Sequence, residues 1–172
     1  SDLVADFVVL LANHHSQKDA DADHPYGHHR YETAASLVLG ALPIVEFGTA
    51  EQQQRYLPAL ASGTAKFSAA IAELAMNPAV VTTVTATREK EGWVLCGDKA
   101  VVPDGAVADF ILVPAADSAG RQTIFIIDTR TPGVSVQPVE IGLSGHRAAN
   151  LALDNVTVDD NAVLGAVGQG AQ

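Results

Sequence analysis

Short runs of β-branched and aromatic residues alternate with turn signals through the second half of the chain, and this pattern constrains the fold most. The runs cover residues 81–88, 93–96, 110–113, 123–127, 134–136 and 151–158. Turn signals separate them at Glu91-Gly92, Pro103-Asp104-Gly105, 117–120 and Pro132-Gly133. Strands this short and this closely spaced are typical of an antiparallel barrel or sandwich. We therefore predict an α+β chain in which N-terminal helices precede an antiparallel β-barrel.

Helix signals dominate the residues before this region. Apolar residues recur at helical spacing near the start, at Leu3, Phe7, Leu10 and Leu11. Further along, Thr49 and Gln52 have the spacing of a capping box, which marks the first turn of a helix. We expect Pro58 to stop that helix, because proline lacks the backbone N–H, and Gly63 to close the helical part.

Charge and composition limit the partners of the chain. The 20 acidic and 10 basic residues give a net charge of −10, and nucleic acid binding needs clustered Lys and Arg, so we predict no nucleic acid partner. No apolar run reaches the roughly 18 to 20 residues that span a bilayer, so we predict no stable membrane insertion. The single cysteine, Cys96, fits a reducing compartment, and we predict a cytoplasmic protein.

Four potential metal ligands follow the first predicted helix. Asp21, His24, His28 and Glu32 are spaced by three, four and four residues. Imidazole and carboxylate together suit Zn(II) and similar ions. By spacing alone, the simpler interpretation is a solvated acidic loop that binds no metal.

The order of residues around these ligands adds a resemblance. Ser1-Asp2-Leu3 and the run DADADHPYGHHRYE at 19–32 resemble cation diffusion facilitators, from the second membrane helix into the third. The resemblance implies that Asp2 is the second member of a ligand pair, and that Asp21, His24 and His28 form a separate metal site. The first member would precede Ser1 and ligands from a later helix do not follow, so we expect shared ancestry over about residues 1–40 rather than transport.

The remainder of the chain resembles acyl-CoA dehydrogenases. Matching runs are EFGTAEQQQRYLPALASG at 46–63, GWVLCGDK at 92–99, VAD at 107–109, TPGVSV at 131–136 and DNVTV at 154–158, followed by Leu164-Gly165 and Gly168-Gln169-Gly170. The resemblance implies a flavoprotein that uses FAD to oxidise acyl-CoA thioesters between the α and β carbons. In that family a glutamate of the C-terminal helical domain removes the α proton.

The two resemblances together divide the chain into four expected parts. They are a cation diffusion facilitator-like helical fragment at 1–40, the end of the N-terminal helical domain at 41–66, the middle β-barrel domain at 67–165, and the start of a C-terminal helical domain at 166–172. Because the glutamate-bearing domain is not among them, we expect a partial enzyme that is inactive alone. The alternatives are a divalent (zinc-type) cation efflux fragment and a noncatalytic barrel that binds a partner.

The flavin positions of the family carry altered residues in this chain. The motif Ala-Leu-Thr-Glu falls on Ala70 to Glu73, so Ala72 lacks the hydroxyl, and Trp-x-Thr falls on Val101 to Pro103. Loss of the tryptophan removes a stacking face worth about 1 kcal/mol, and Pro103 has neither hydroxyl nor backbone N–H. The cofactor positions implied are Ala70, Ala72, Val101 and Pro103. We expect FAD to bind weakly or not at all, with backbone N–H groups near Ala70 and Ala72 as the remaining donors.

Two further runs resemble the small subunit of pimeloyl-CoA dehydrogenase-type heteromers, GDKAVV at 97–102 and GHRAAN at 145–150. This resemblance implies an oligomer in which a catalytic large subunit is the partner and acyl-CoA the ligand. Arg147 is the substrate-binding residue it implies, because a basic group there suits a CoA phosphate or a partner carboxylate. The alternative for Arg147 is an ordinary surface ion pair.

Overall fold

The computed structural model describes residues 36–71, 82–141 and 146–170. A π-helical segment, Ser36–Ala41, leads into helices α1 (Leu42–Phe47) and α2 (Ala50–Ser62). The strands are β1 (Phe67–Ala69), β2 (Thr85–Glu89), β3 (Gly92–Pro103), β4 (Phe110–Ala116), β5 (Gln122–Asp128), β6 (Val134–Ile141), β7 (His146–Val158) and β8 (Val163–Leu164). Helices therefore precede strands, as predicted, and strands predominate.

The eight strands form one sheet in the order β6-β7-β3-β2-β4-β5-β8, with β1 paired to β4. Two pairings are parallel, β1 with β4 and β2 with β4, so the predicted all-antiparallel arrangement is wrong for them. Both strands run along one edge of β4, where Phe67 pairs with Phe110 and Thr85 with Ala116. Among the described strands β6 and β8 end the path without pairing to each other, so the predicted closed barrel is not confirmed.

Strand β4 is buried on both faces and separates two hydrophobic cores. Ile111 and Val113 face the first core, which consists mostly of strand residues. Leu112 faces the second core, which lies beneath the helices. A strand covered on both sides reads as a continuous apolar run, which explains the sequence FILVPAA. Side chains of α1 and α2 fill the second core, so the helices and the sheet are packed as one body.

An aromatic cluster anchors the helical core. The ring centroid of Tyr56 on α2 lies 5.4 Å from that of Phe67 and 5.2 Å from that of Phe110, and both ring pairs are edge-to-face. Phe67 and Phe110 stack at 4.9 Å across the paired strands β1 and β4. Because each such pair adds about 0.5–1.5 kcal/mol to the burial of its rings, the cluster ties α2 to the sheet.

Helix α2 begins where the sequence predicted and runs past the predicted stop. The Thr49 N–H donates to Gln52 Oε1 at 2.9 Å and the Gln52 N–H to Thr49 Oγ1 at 3.2 Å, which completes the capping box. Gly63 closes the helix in the left-handed region at φ 70°. Pro58 lies inside the helix, so that prediction was wrong; both Pro58 and Gln54 are exposed, and water can satisfy the carbonyl of Gln54 that loses its donor.

None of the helices within the described ranges is both long enough and apolar enough to cross a membrane.

Candidate functional site

The positions implied to contact a flavin lie where β1 and β3 end. Ala70 directly follows β1, and Val101 and Pro103 are among the last three residues of β3. The Ser68 hydroxyl donates a hydrogen bond to the Pro103 carbonyl and joins the two strand ends. Ala72 lies outside the described residues. The fold thus brings three of the four implied positions to one region, which we call the β1–β3 end.

Val101 occupies an unusual backbone conformation at this end. The pairing of β3 with β7 shifts register between Lys99 and Val102, so Val101 belongs to a β-bulge. Its φ is 56°, in the left-handed region that a β-branched residue rarely adopts, and its side chain is 43% exposed. The bulge therefore presents an apolar side chain to solvent at the position where the resemblance implies a tryptophan.

Hydrogen bonds inside the protein already use the polar backbone groups of the β1–β3 end. The Ala70 N–H donates to the Leu112 carbonyl at 2.8 Å, and the Val101 N–H donates to Asn150 Oδ1 at 3.3 Å. Pro103 has no N–H, and its carbonyl accepts the Ser68 hydroxyl. The donor that the sequence left open at Ala70 is therefore engaged. These three positions do not fit a flavin that depends on them for hydrogen bonds.

A buried lysine that sequence reasoning did not single out supports the same end of β3. Lys99 is 2% exposed, and its ammonium group donates to Thr82 Oγ1. The Thr82 hydroxyl in turn donates to the Pro114 carbonyl at 2.9 Å. Because a buried ammonium needs hydrogen-bond partners, this chain of contacts fixes residue 82 against β4. The one available signal was a lysine between two apolar runs, 93–96 and 100–102.

Arg147, the implied substrate-binding residue, lies in β7 beside the β1–β3 end. Its backbone pairs with Glu140 of β6, and the next residue, Ala148, pairs with Pro103. The backbone of Arg147 is therefore next to Ala148, the residue that pairs with Pro103.

Arginine contacts account for the lowered carboxyl pKa values in the described part of the chain. Hydrogen bonds from Arg88, Arg121 and Arg130 lower the pKa of Asp160, Asp117 and Asp128, respectively. These three carboxyls are therefore ion-pair partners, and a lowered pKa makes each a weaker base.

The four implied metal ligands, Asp2, Asp21, His24 and His28, lie outside the described residues. Within residues 36–71, 82–141 and 146–170, no three His, Cys, Asp or Glu side chains are grouped closely enough to hold a metal ion.

Comparison with known sequences relates most of the sheet to a known domain family. The sequence model of the acyl-CoA dehydrogenase middle domain matches residues 72–156. These residues are therefore similar to acyl-CoA dehydrogenases. A probable acyl-CoA dehydrogenase of Bacillus subtilis is 36% identical over 141 residues, which cover 79% of this chain and 24% of the relative. The human mitochondrial short-chain specific acyl-CoA dehydrogenase is 30% identical over 142 residues, covering 78% of this chain and 34% of the relative.

Solved structures of the family have the same fold. A structure described as an FAD-dependent dehydrogenase superposes with a TM-score of 0.72 at 32% identity, covering 80% of this chain and 39% of that one. The acyl-CoA dehydrogenase of Bacillus anthracis, complexed with FAD, superposes with the same TM-score and identity. The match covers 80% of this chain and 24% of that one. The present chain thus spans roughly a quarter to two fifths of the acyl-CoA dehydrogenases it matches.

The first part of the chain matches a different family. The sequence model of the cation efflux transmembrane domain covers residues 1–49. An alignment to the Bacillus subtilis acyl-CoA dehydrogenase relative over 79% of the 172 residues necessarily includes 41–49 as well. Residues before 41 already pack on the sheet, because a Cβ built on Gly40 would meet the Phe67 Cβ at 2.3 Å. The two resemblances therefore overlap where the helical segment joins the acyl-CoA dehydrogenase fold.

Proposed function

We propose that residues 41–172 act as the middle-domain portion of an acyl-CoA dehydrogenase-like protein and that the 172 residues alone neither hold FAD firmly nor dehydrogenate acyl-CoA. One observation carries the proposal. The domain keeps the fold of FAD-dependent relatives, while Ala70, Val101 and Pro103 offer no free backbone donor and no flavin-bonding side chain.

The proposal includes the organisation of the chain and its partners. Its parts are a transporter-like fragment at 1–40, the end of a helical domain at 41–66, a middle domain of the family's barrel type at 67–165, and the start of a further helical domain at 166–172. We propose that a catalytic large subunit supplies the base and the flavin contacts, in an oligomer in the cytoplasm. Arg147 is the proposed contact to acyl-CoA or to that subunit, because its backbone adjoins the β1–β3 end.

A domain exchange tests the proposal. Residues 67–165 replace the matching segment of the Bacillus subtilis relative, and bound flavin per protein is measured by absorbance after desalting. We expect a folded protein with little flavin and little acyl-CoA-dependent reduction of a dye acceptor. Restoring the family residues through Ala72→Thr, Val101→Trp and Pro103→Thr recovers both, because the stacking face and two hydroxyls return.

The exchange has a matched control in Asn150→Ala. This change releases the Val101 N–H without restoring any side chain, so we expect flavin binding to stay low. If the exchanged domain with its own residues holds flavin as well as the relative does, the flavin part of the proposal is wrong. If the restored domain stays unfolded in the relative, the family role is wrong.

A second candidate function is divalent metal binding by residues 1–40, which the cation efflux match to residues 1–49 favours. The proposed ligands are Asp2, Asp21, His24 and His28. Calorimetric titration of the full chain with Zn(II) would then give saturable heat that His24→Ala and His28→Ala remove, and that His14→Ala leaves in place. A flat titration, or one that all three variants leave unchanged, contradicts this candidate.

A further inference from the structure

An apolar groove runs between α1 and the outer face of the sheet. It has a volume of about 370 Å³, and Val38, Leu39 and Phe47 form the helical side. Ile71, Ile124 and Leu164 lie on the sheet side. We call this cavity the α1 groove. Its lining is almost wholly apolar, so it suits a hydrophobic occupant and offers little to a charged ligand.

Exposed apolar side chains cluster on this groove. Val38, Phe47, Leu42 and Val167 are 57%, 54%, 56% and 51% exposed, and the first two line the groove while the others adjoin lining residues in the chain. In the described part of the chain, the one other exposed large apolar residue is Val101, at 43%. Single exposed apolar residues are ordinary, but exposed apolar residues that line an apolar groove mark a surface that contacts something.

We propose that residues 1–17 of the same chain cover the α1 groove. Leu3, Phe7 and Leu10 recur at helical spacing and predict one apolar stripe. The chain reaches the groove at its rim, because Val38 lies three residues after position 35. Asp2 and Asp6 are one turn apart on a shared face of the predicted helix, at the edge of this stripe.

Chain length makes this docking feasible and favours it over a second copy. Residues 18–35 number 18, and a flexible chain of 18 residues has a root-mean-square span of about 23 Å, comparable with a small domain's radius. A tether of that length gives an effective concentration in the millimolar range, far above the micromolar concentration of a second copy in a dilute solution. The tethered segment therefore occupies the groove first.

Two single substitutions in the full chain test the docking. Phe7→Asp places a charge in the apolar stripe, whereas Val9→Asp makes the same kind of change two residues on, about 200° around a helix and off the stripe. The measurements are amide hydrogen exchange at residues 38–47, fluorescence of the apolar dye ANS, and light scattering. Circular dichroism confirms that both variants keep the β-sheet fold.

We expect Phe7→Asp to speed exchange at 38–47 and to raise dye fluorescence severalfold, while Val9→Asp matches the unchanged chain. Equal exchange and dye fluorescence in all three proteins would overturn the proposal. So would a dimer of the unchanged chain that Phe47→Asp dissociates, because a second copy would then fill the groove. The result is independent of flavin binding, so it fails or succeeds separately from the proposed function.

Discussion

Gln52 is the side chain whose removal tests most sharply how the helices are joined to the sheet. Its Nε2 donates to the carbonyls of Asn161 and Val163, both at 2.8 Å, and its Oε1 accepts the Thr49 N–H. The side chain is 4% exposed, so water cannot replace these bonds easily. One residue thus caps α2 and holds that helix to the segment entering β8.

The effect of Gln52→Ala follows from these contacts. Two hydrogen bonds at about 1 kcal/mol each and the lost capping bond at about 1 kcal/mol lower the free energy of unfolding by about 3 kcal/mol. For a chain of this size, that corresponds to a fall in Tm of roughly 6–12 °C. Urea unfolding followed by fluorescence of the single tryptophan, Trp93, measures the change.

The chain provides its own control in the neighbouring glutamine. Gln54 is exposed on the same helix, so Gln54→Ala should change the free energy of unfolding by less than about 0.5 kcal/mol. Both substitutions alter helix propensity equally, and the difference between them isolates the contacts of Gln52. If the two variants were equally stable, α2 would not be held to the sheet as described, and the reasoning would be refuted.

Three further predictions concern the sheet. The pKa of Asp160 lies below its ordinary value of 3.8, chiefly because Arg88 donates a hydrogen bond to its carboxylate. Trp93 Nε1 donates to the same carboxylate, so tryptophan fluorescence should change as pH falls below about 4. Asp160→Asn should not show this change. The carboxylate's contribution to stability is present above that range and lost within it. Gly97→Ala should destabilise the chain by at least about 1 kcal/mol, since φ is 134° and the new Cβ would lie 2.6 Å from the carbonyl oxygen of Thr83. Val101→Asn should stabilise it by about 1 kcal/mol, because asparagine tolerates the left-handed conformation better.

Each of these predictions has a contrary result. An identical acid fluorescence profile in Asp160→Asn would mean that another group causes the change. Urea unfolding that left Gly97→Ala as stable as the unchanged chain would contradict the close approach of the Thr83 backbone to that glycine. A less stable Val101→Asn would contradict the backbone conformation assigned to the bulge.

Local patterns in the sequence predicted the existence of most elements. The capping box at Thr49 and the left-handed Gly63 are interactions between neighbours in the chain, so spacing alone reveals them. The runs around 110–116 and 122–128 are apolar enough to mark strands without further information.

The errors have causes that spacing does not reveal. Strand β3 extends from Gly92 to Pro103, although only 93–96 was predicted, because Lys99 interrupts the apolar pattern and is satisfied by Thr82, 17 residues away. The parallel pairing of β1 with β4 joins Phe67 to Phe110 and depends on the path of the chain between them.

The candidate site shows the same division. The family resemblance implies which flavin-bonding side chains are missing, because residue identity is sufficient for that expectation. It does not reveal that the Ala70 N–H is engaged, since its acceptor is the Leu112 carbonyl, which lies 42 residues further along the chain. Only the folded sheet brings this donor and acceptor together.

Titration of the full chain with FAD tests whether the 172 residues alone hold the cofactor. We predict no saturable heat and no yellow protein after desalting, because the implied flavin positions Ala70, Val101 and Pro103 have no free backbone donor and the stacking face is lost. A stoichiometric complex that keeps its flavin absorbance through desalting would contradict the account.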